Sequence, residues 1–193
     1  ATLLAYFVQQ QQLSLDDPVT KYLPDSLASN PDLQKITLKQ LANHTAGLPR
    51  MPTNIDATAA AHPLNPYEGY NQEHLYTYLK TYKAEAPPNS NYLYSNLGYA
   101  LLGDILSNVG EKPYHELVQE VICGPLELTN TTAFPDTTQQ YVAKVYNQKG
   151  EETPRWTFSE ATAGLGSLKS TVSDLLKYAR AHFVLPETDL EKA

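Results

Sequence analysis

A chain of 193 residues, 41 % of them hydrophobic, can bury a core, which excludes global disorder. A net charge of −7 with no run of Lys or Arg excludes nucleic acid and anionic membrane as expected partners, and no apolar stretch approaches the ~18 residues of a membrane span. Fourteen Tyr against four Phe predict many half-buried rings with bonded or wet hydroxyls, and a lone Cys123 inside Val121-Ile122-Cys123 allows no intrachain disulfide and reads as a small buried hydrophobe.

Leu3, Leu4, Phe7 and Val8 lie at helical spacing from the first residues on. No capping residue and no basic leader precede them. The pattern starts midway, as in a piece of a longer chain, and no signal peptide is expected. Asp17 before Pro18 predicts a cap for a brief helical turn that ends at Pro24. Residues 24–35 read as polar loop. Thr37-Leu38-Lys39-Gln40 is a capping box that opens a helix stopped by Gly47. Residues 48–70 lack periodicity and predict a long surface excursion bordering a site.

Asn71 caps a helix carrying Leu75, Tyr78, Leu79 and Tyr82, ended by Pro87-Pro88. Tyr92-Leu93-Tyr94 is extended. A strong helix follows from about Asn96 to Val109, closed by Gly110. Pro113 opens another, with Leu117, Val118, Val121 and Ile122 inward, broken by Gly124-Pro125. Short strands are expected at 131–134 and 141–146, with a turn over Asn147 to Gly150. Ala163-Gly164-Leu165-Gly166 predicts a small-residue loop where backbones approach closely. Thr171 to Asp174 caps a last helix with Leu175, Leu176, Tyr178 and Ala179. Residues 1–183 form one helical region and 184–193 a loose tail.

Taken together, Leu13 to Val19 with Tyr22-Leu23-Pro24, His44-Thr45-Ala46-Gly47-Leu48-Pro49, Tyr94-Ser95-Asn96-Leu97-Gly98-Tyr99, Pro125-Leu126, and Ala163 to Ser167 with Ser170-Thr171 and Ser173-Asp174 resemble the serine β-lactamase and D,D-peptidase superfamily. The match is closest to class C β-lactamases and related esterases, and it covers nearly the whole chain. The resemblance implies an α-rich (α+β) structure. It would be the mainly helical portion of the β-lactamase/D,D-peptidase α/β fold, incomplete at both ends, with a few short strands.

It also implies acyl transfer through a serine ester on a β-lactam, a D-amino-acid peptide or a small ester. That chemistry uses a Ser-x-x-Lys on a helix, a Tyr-x-Asn loop, a Lys-Thr-Gly-like strand and two oxyanion amides. Only Tyr94-Ser95-Asn96 is present here. By resemblance Tyr94 is the general base and acid, Asn96 contacts the substrate amide, and Ser95 is the variable middle residue. No Ser has Lys three residues on, and no Lys-Thr-Gly occurs. In the family the Ser-x-x-Lys lies on the helix that here begins at Ala1, two turns or less upstream. An ordinary tyrosine, with pKa ~10, is ionised in roughly one molecule in a thousand at pH 7. The chain alone is therefore expected to be inactive. The alternative is a non-catalytic binding module on the same scaffold.

His44 is expected to hold a loop after a helix. His62, His74, His115 and His182 show no metal-ligand spacing, so neither metal nor cofactor is expected. Residues 48–70 are candidate cleft walls, and Trp156 can either join them or simply pack. Expected partners are a small-molecule or peptide substrate and a second copy docked on the Leu3/Leu4/Phe7 helix. The resemblance suggests the bacterial periplasm or envelope, or secretion.

Overall fold

A computed structural model describes residues 1–138, 141–183 and 188–192. Ten α-helices occur among them: α1 Thr2–Gln9, α2 Asp25–Ala28, α3 Leu38–Ala42, α4 Ile55–Ala61, α5 Gln72–Thr81, α6 Asn96–Gly110, α7 Tyr114–Val118, α8 Glu160–Gly166, α9 Val172–Ala181 and α10 Asp189–Lys192. Two 3-10 turns, Val19–Tyr22 and Leu33–Lys35, and a π-helical turn, Gln119–Cys123, complete the helical part. Strands β1 Val145–Tyr146 and β2 Glu152–Thr153 form one antiparallel hairpin around the turn at Asn147 to Gly150. The expected strand at 131–134 is reduced to a single bridge between Thr132 and Lys169.

Helix α6 is the axis. Leu97, Ala100, Leu101, Leu102, Ile105 and Leu106 are all buried, so it is apolar on nearly every side, as a helix surrounded by others must be. The local start signals hold. Thr37 and Gln40 form the reciprocal capping box of α3, and Asn71 exchanges bonds with His74 at the start of α5. Asp17 is different: it does not cap. Its carboxylate accepts from the Ser14 amide (2.8 Å), Lys21 Nζ (3.0 Å) and the Tyr22 hydroxyl, tying the turn sideways.

Three segments read as loop are helical. In 24–35, α2 and the Leu33–Lys35 turn bury Leu27 and Leu33. Asn30 holds them by donating to the carbonyls of Leu79 (3.0 Å) and Tyr82 (2.9 Å). In 48–70, α4 buries Ile55, and Tyr67 and Tyr70 are core residues. Asn54 anchors that segment through the His74 carbonyl (2.8 Å) and the Tyr70 hydroxyl (3.0 Å). Helix α3 stops at Ala42, before Gly47, because His44 turns left-handed at φ 61°.

Ala163–Gly166 belongs to α8 rather than a loop, yet the close approach expected there is real. A Cβ on Gly164 would lie 2.6 Å from the Tyr99 carbonyl oxygen and 2.9 Å from the Gly103 Cα. Helices α6 and α8 therefore cross backbone to backbone.

Leu3, Leu4 and Phe7 are buried within the chain, and α10 docks beside α1 through Gln10–Asp189 (2.8 Å) with Leu190 buried. The reason for expecting a second copy on that face, free apolar side chains, is thus removed. The tail expected to be loose is a helix over Asp189–Lys192, while residues 184–187 and 193 lie outside the described residues. On α9, Leu175 and Leu176 are 56 % and 66 % exposed. What anchors α9 is buried Asp174, accepting from the Asn130 amide and the Thr131 hydroxyl (both 2.8 Å). No helix among the described residues is long and apolar enough to cross a membrane.

Asp104 on α6 is a buried carboxylate accepting from Gln72 Nε2 and the Tyr76 hydroxyl, both at 2.7 Å. Burial outweighs those bonds and raises its pKa above the ordinary 3.8. The folded state then holds this proton more tightly than the unfolded chain, so stability falls as pH rises from 3.8 through the raised value. Asp104→Asn should remove that fall. Urea midpoints of both proteins measured across pH should diverge in the variant's favour as pH rises. Parallel curves would refute the assignment.

Candidate active site at the start of helix α6

Tyr94 sits in the extended stretch leading into α6, with its ring 46 % exposed. Ser95 is the cap of α6. Its Oγ accepts from the Gly98 amide (2.9 Å) and donates to the Pro49 carbonyl (2.7 Å). The residue between the two site candidates is therefore structural. Its amide donates to His44 Nδ1 (3.1 Å), and the His44 ring lies 4.5 Å from the Tyr94 ring. On Tyr94 also rests the Arg50 guanidinium, 5.4 Å from the ring centroid.

Asn96 opens the helix. Its amide N–H donates to the Arg50 carbonyl (3.0 Å). Its side-chain Nδ2 donates to the Tyr67 hydroxyl (3.0 Å) and approaches Met51 Sδ (3.4 Å). Burial pushes the Tyr67 phenol above its ordinary pKa, so this partner stays neutral. Behind Tyr67 stand Trp156, edge-on at 5.4 Å, and Phe158 at 5.1 Å. Trp156 both packs on Tyr67 and, half exposed, lines an open depression of about 850 Å³ with Phe158 and Lys169. Burial lowers the Lys169 ammonium pKa, and its charge lies 5.5 Å from the Phe158 ring.

Tyr94 lines a cleft of about 400 Å³ with His44, Tyr99, Tyr114 and residues 163–168. Buried Ser167 lines it with a hydroxyl that has no partner among the described residues. Tyr99, Tyr114, Gly164 and Leu168 are shared with a second cavity of about 480 Å³, which runs past Leu102, Leu106 and Leu175 to Ala1, Thr2 and Leu3. The two make one trough from the start of α1 to the Tyr94 ring. Its glycine wall is the α6–α8 crossing.

Tyr94 thus lines the cleft, whereas Asn96 contacts Met51 and Tyr67 of the 48–70 segment and is not among the residues lining that cleft. Sequence reading missed Arg50, Tyr67 and the contact of His44 with Tyr94. Each lies some 30 to 50 residues away in sequence, and nothing in local pattern marks it. The described residues hold no group of three or more His, Cys, Asp and Glu side chains that could hold a metal ion.

A family model described as Beta-lactamase matches residues 1–193. The chain is 34 % identical over 182 residues to D-alanyl-D-alanine-carboxypeptidase/endopeptidase AmpH of Escherichia coli K12, covering 93 % of this chain and 45 % of that protein. It is 29 % identical over 201 residues to a beta-lactamase of Lysobacter lactamgenus, covering all of this chain and 47 % of that one. A solved beta-lactamase/D-alanine carboxypeptidase from Pseudomonas syringae superposes with a TM-score of 0.80 at 26 % identity, over 99 % of this chain and 50 % of that one. The chain spans about half the length of these relatives, and what it shares with them is the helix-rich portion of their fold. With its full length matched and its helices superposed, the chain belongs to the beta-lactamase family.

Proposed function

We propose that this chain is the helix-rich half of a serine hydrolase that acylates itself on a β-lactam, a D-amino-acid peptide or a small ester. Tyr94 is the general base and acid, and Asn96 binds the substrate amide. With Nδ2 held by Tyr67, Oδ1 is the atom left to accept that amide proton. The observation that carries the reading is the trough joining Ala1 to the Tyr94 ring. A helix continued backward from Ala1 by two turns extends roughly 11 Å. A Ser-x-x-Lys on that continuation would put its nucleophile and amine into the trough beside Tyr94, and the apolar walls would be covered by the same turns. Arg50, resting on the Tyr94 ring, is the cation this half supplies.

On this reading residues 1–193 bring the base, while the nucleophile and the oxyanion amides come from outside them, and acyl transfer needs all three. Residues 1–193 alone should hydrolyse neither a chromogenic cephalosporin nor a p-nitrophenyl ester above buffer. Turnover by that chain that disappears in Tyr94→Phe would contradict the reading. A full-length protein that binds a penicillin reversibly, with no covalent adduct, would favour a binding module on this scaffold instead.

A further inference from the structure

Of the side chains around the Tyr94 loop, His44 has the most unusual surroundings. Its backbone is left-handed at φ 61°, a conformation that is disfavoured for a non-glycine residue. Something must hold it there. Its carbonyl accepts from the Leu93 amide (2.9 Å), and its Nδ1 accepts from the Ser95 amide (3.1 Å). One residue thus ties down the backbone on both sides of Tyr94. Its ring lies 4.5 Å from the Tyr94 ring and 4.9 Å from the Tyr99 ring, tilted by 36° and 32°, with the Tyr92 ring edge-on at 5.8 Å. Next to it, the Thr45 hydroxyl donates to Asn89 Oδ1 (2.9 Å) and the Asn89 amide donates to the Thr45 carbonyl (2.8 Å), fixing the approach to Tyr92.

We propose that His44 is a positioning residue, whose Nδ1 lone pair and ring clamp Tyr94 and the Ser95 amide in the geometry needed for proton transfer. This rests on the proposed roles of Tyr94 and Asn96. An acceptor at Nδ1 fixes the tautomer, with the proton on Nε2. Protonating Nδ1 would set N–H against N–H and release the Ser95 amide. The ionisable groups facing the ring among the described residues are the phenols of Tyr92, Tyr94 and Tyr99, with Tyr114 lining the same cleft and the Arg50 guanidinium lying over the Tyr94 ring. Residues 163–168 from the α8 side bring none. No carboxylate is among them to favour the imidazolium, and burial lowers the His44 pKa from 6.5. A depressed folded pKa means the clamp is complete above the ordinary value and is lost as pH falls through the lowered one.

The test uses full-length protein labelled with nitrogen-15 in histidine and in the backbone. At neutral pH the His44 ring should show Nε2 protonated and Nδ1 bare, and on acidification the Ser95 amide signal should move with the His44 titration. His44→Phe keeps a ring and removes the acceptor. It should lower kcat about 10- to 100-fold, the scale expected for a small misplacement of a reacting group, with KM changed far less. His44→Asn, which restores an acceptor, should recover part of that loss and abolish the acidic limb of the pH–kcat profile. An Nδ1-protonated tautomer, a Ser95 amide indifferent to the His44 titration, or wild-type kcat in His44→Phe would overturn the proposal. If the protein turns over no substrate at all, the functional reading fails, while the tautomer and the Ser95 titration still decide the clamp.

Discussion

Tyr94→Phe in the full-length protein should lower kcat/KM for a chromogenic cephalosporin or a p-nitrophenyl ester by about 10²–10⁴-fold, the usual range for removing a positioned acid–base group. It should do so without cost to the fold. The Tyr94 hydroxyl has no hydrogen-bond partner among the described residues, and its ring is half exposed. The contacts that hold the loop run through the ring to His44 and Arg50 and through the Ser95 backbone, and phenylalanine keeps them all. An unchanged melting temperature beside the loss of turnover would show that one oxygen atom carries the effect. A variant with full activity would remove Tyr94 from the mechanism.

The second large effect is expected at the crossing of α6 and α8. Gly164→Ala puts a methyl 2.6 Å from the Tyr99 carbonyl oxygen and 2.9 Å from the Gly103 Cα. Neither neighbour is a flexible side chain that can swing away, so the helices must part. Overpacking of this kind costs about 1–3 kcal/mol. The damage should reach the site as well, because Tyr99 stacks on His44 and both glycines line the trough. Gly166→Ala is the control. Its methyl would meet nothing nearer than the Phe158 ring at 3.8 Å, and stability should stay within about 0.5 kcal/mol. Urea unfolding of the three proteins checks this. Equal midpoints for the two variants would mean that the crossing is not tight.

What could be read from the sequence was what is local. The Thr37 capping box, the Asn71 and Thr171 caps and the long apolar pattern of α6 are signals within a few residues, and each stands where expected. The segments misread are those whose partners are far away in the chain. Residues 24–35 lack periodicity because two short turns are held by Asn30 reaching across to α5. Helix α8 has the composition of a loop because its small residues answer to a facing backbone, a requirement visible only from Gly103. Leu175 and Leu176 fit a helical face, but periodicity does not say what covers it. The site divides the same way. Tyr94 and Asn96 share a short motif that is legible in the sequence. Arg50 and Tyr67 contact them from the 48–70 segment, which was expected to wall a cleft without either residue being singled out, and the His44 Nδ1 bond to Ser95 spans a gap of 51 residues.

Peptide mapping by mass spectrometry after brief exposure of the full-length protein to a penicillin would locate the attacking atom. If Tyr94 serves a nucleophile brought in by the turns ahead of Ala1, a single adduct should appear on a serine of those turns and none within residues 1–193. An adduct on any residue of the present chain, or steady hydrolysis with no serine modified upstream of Ala1, would contradict it.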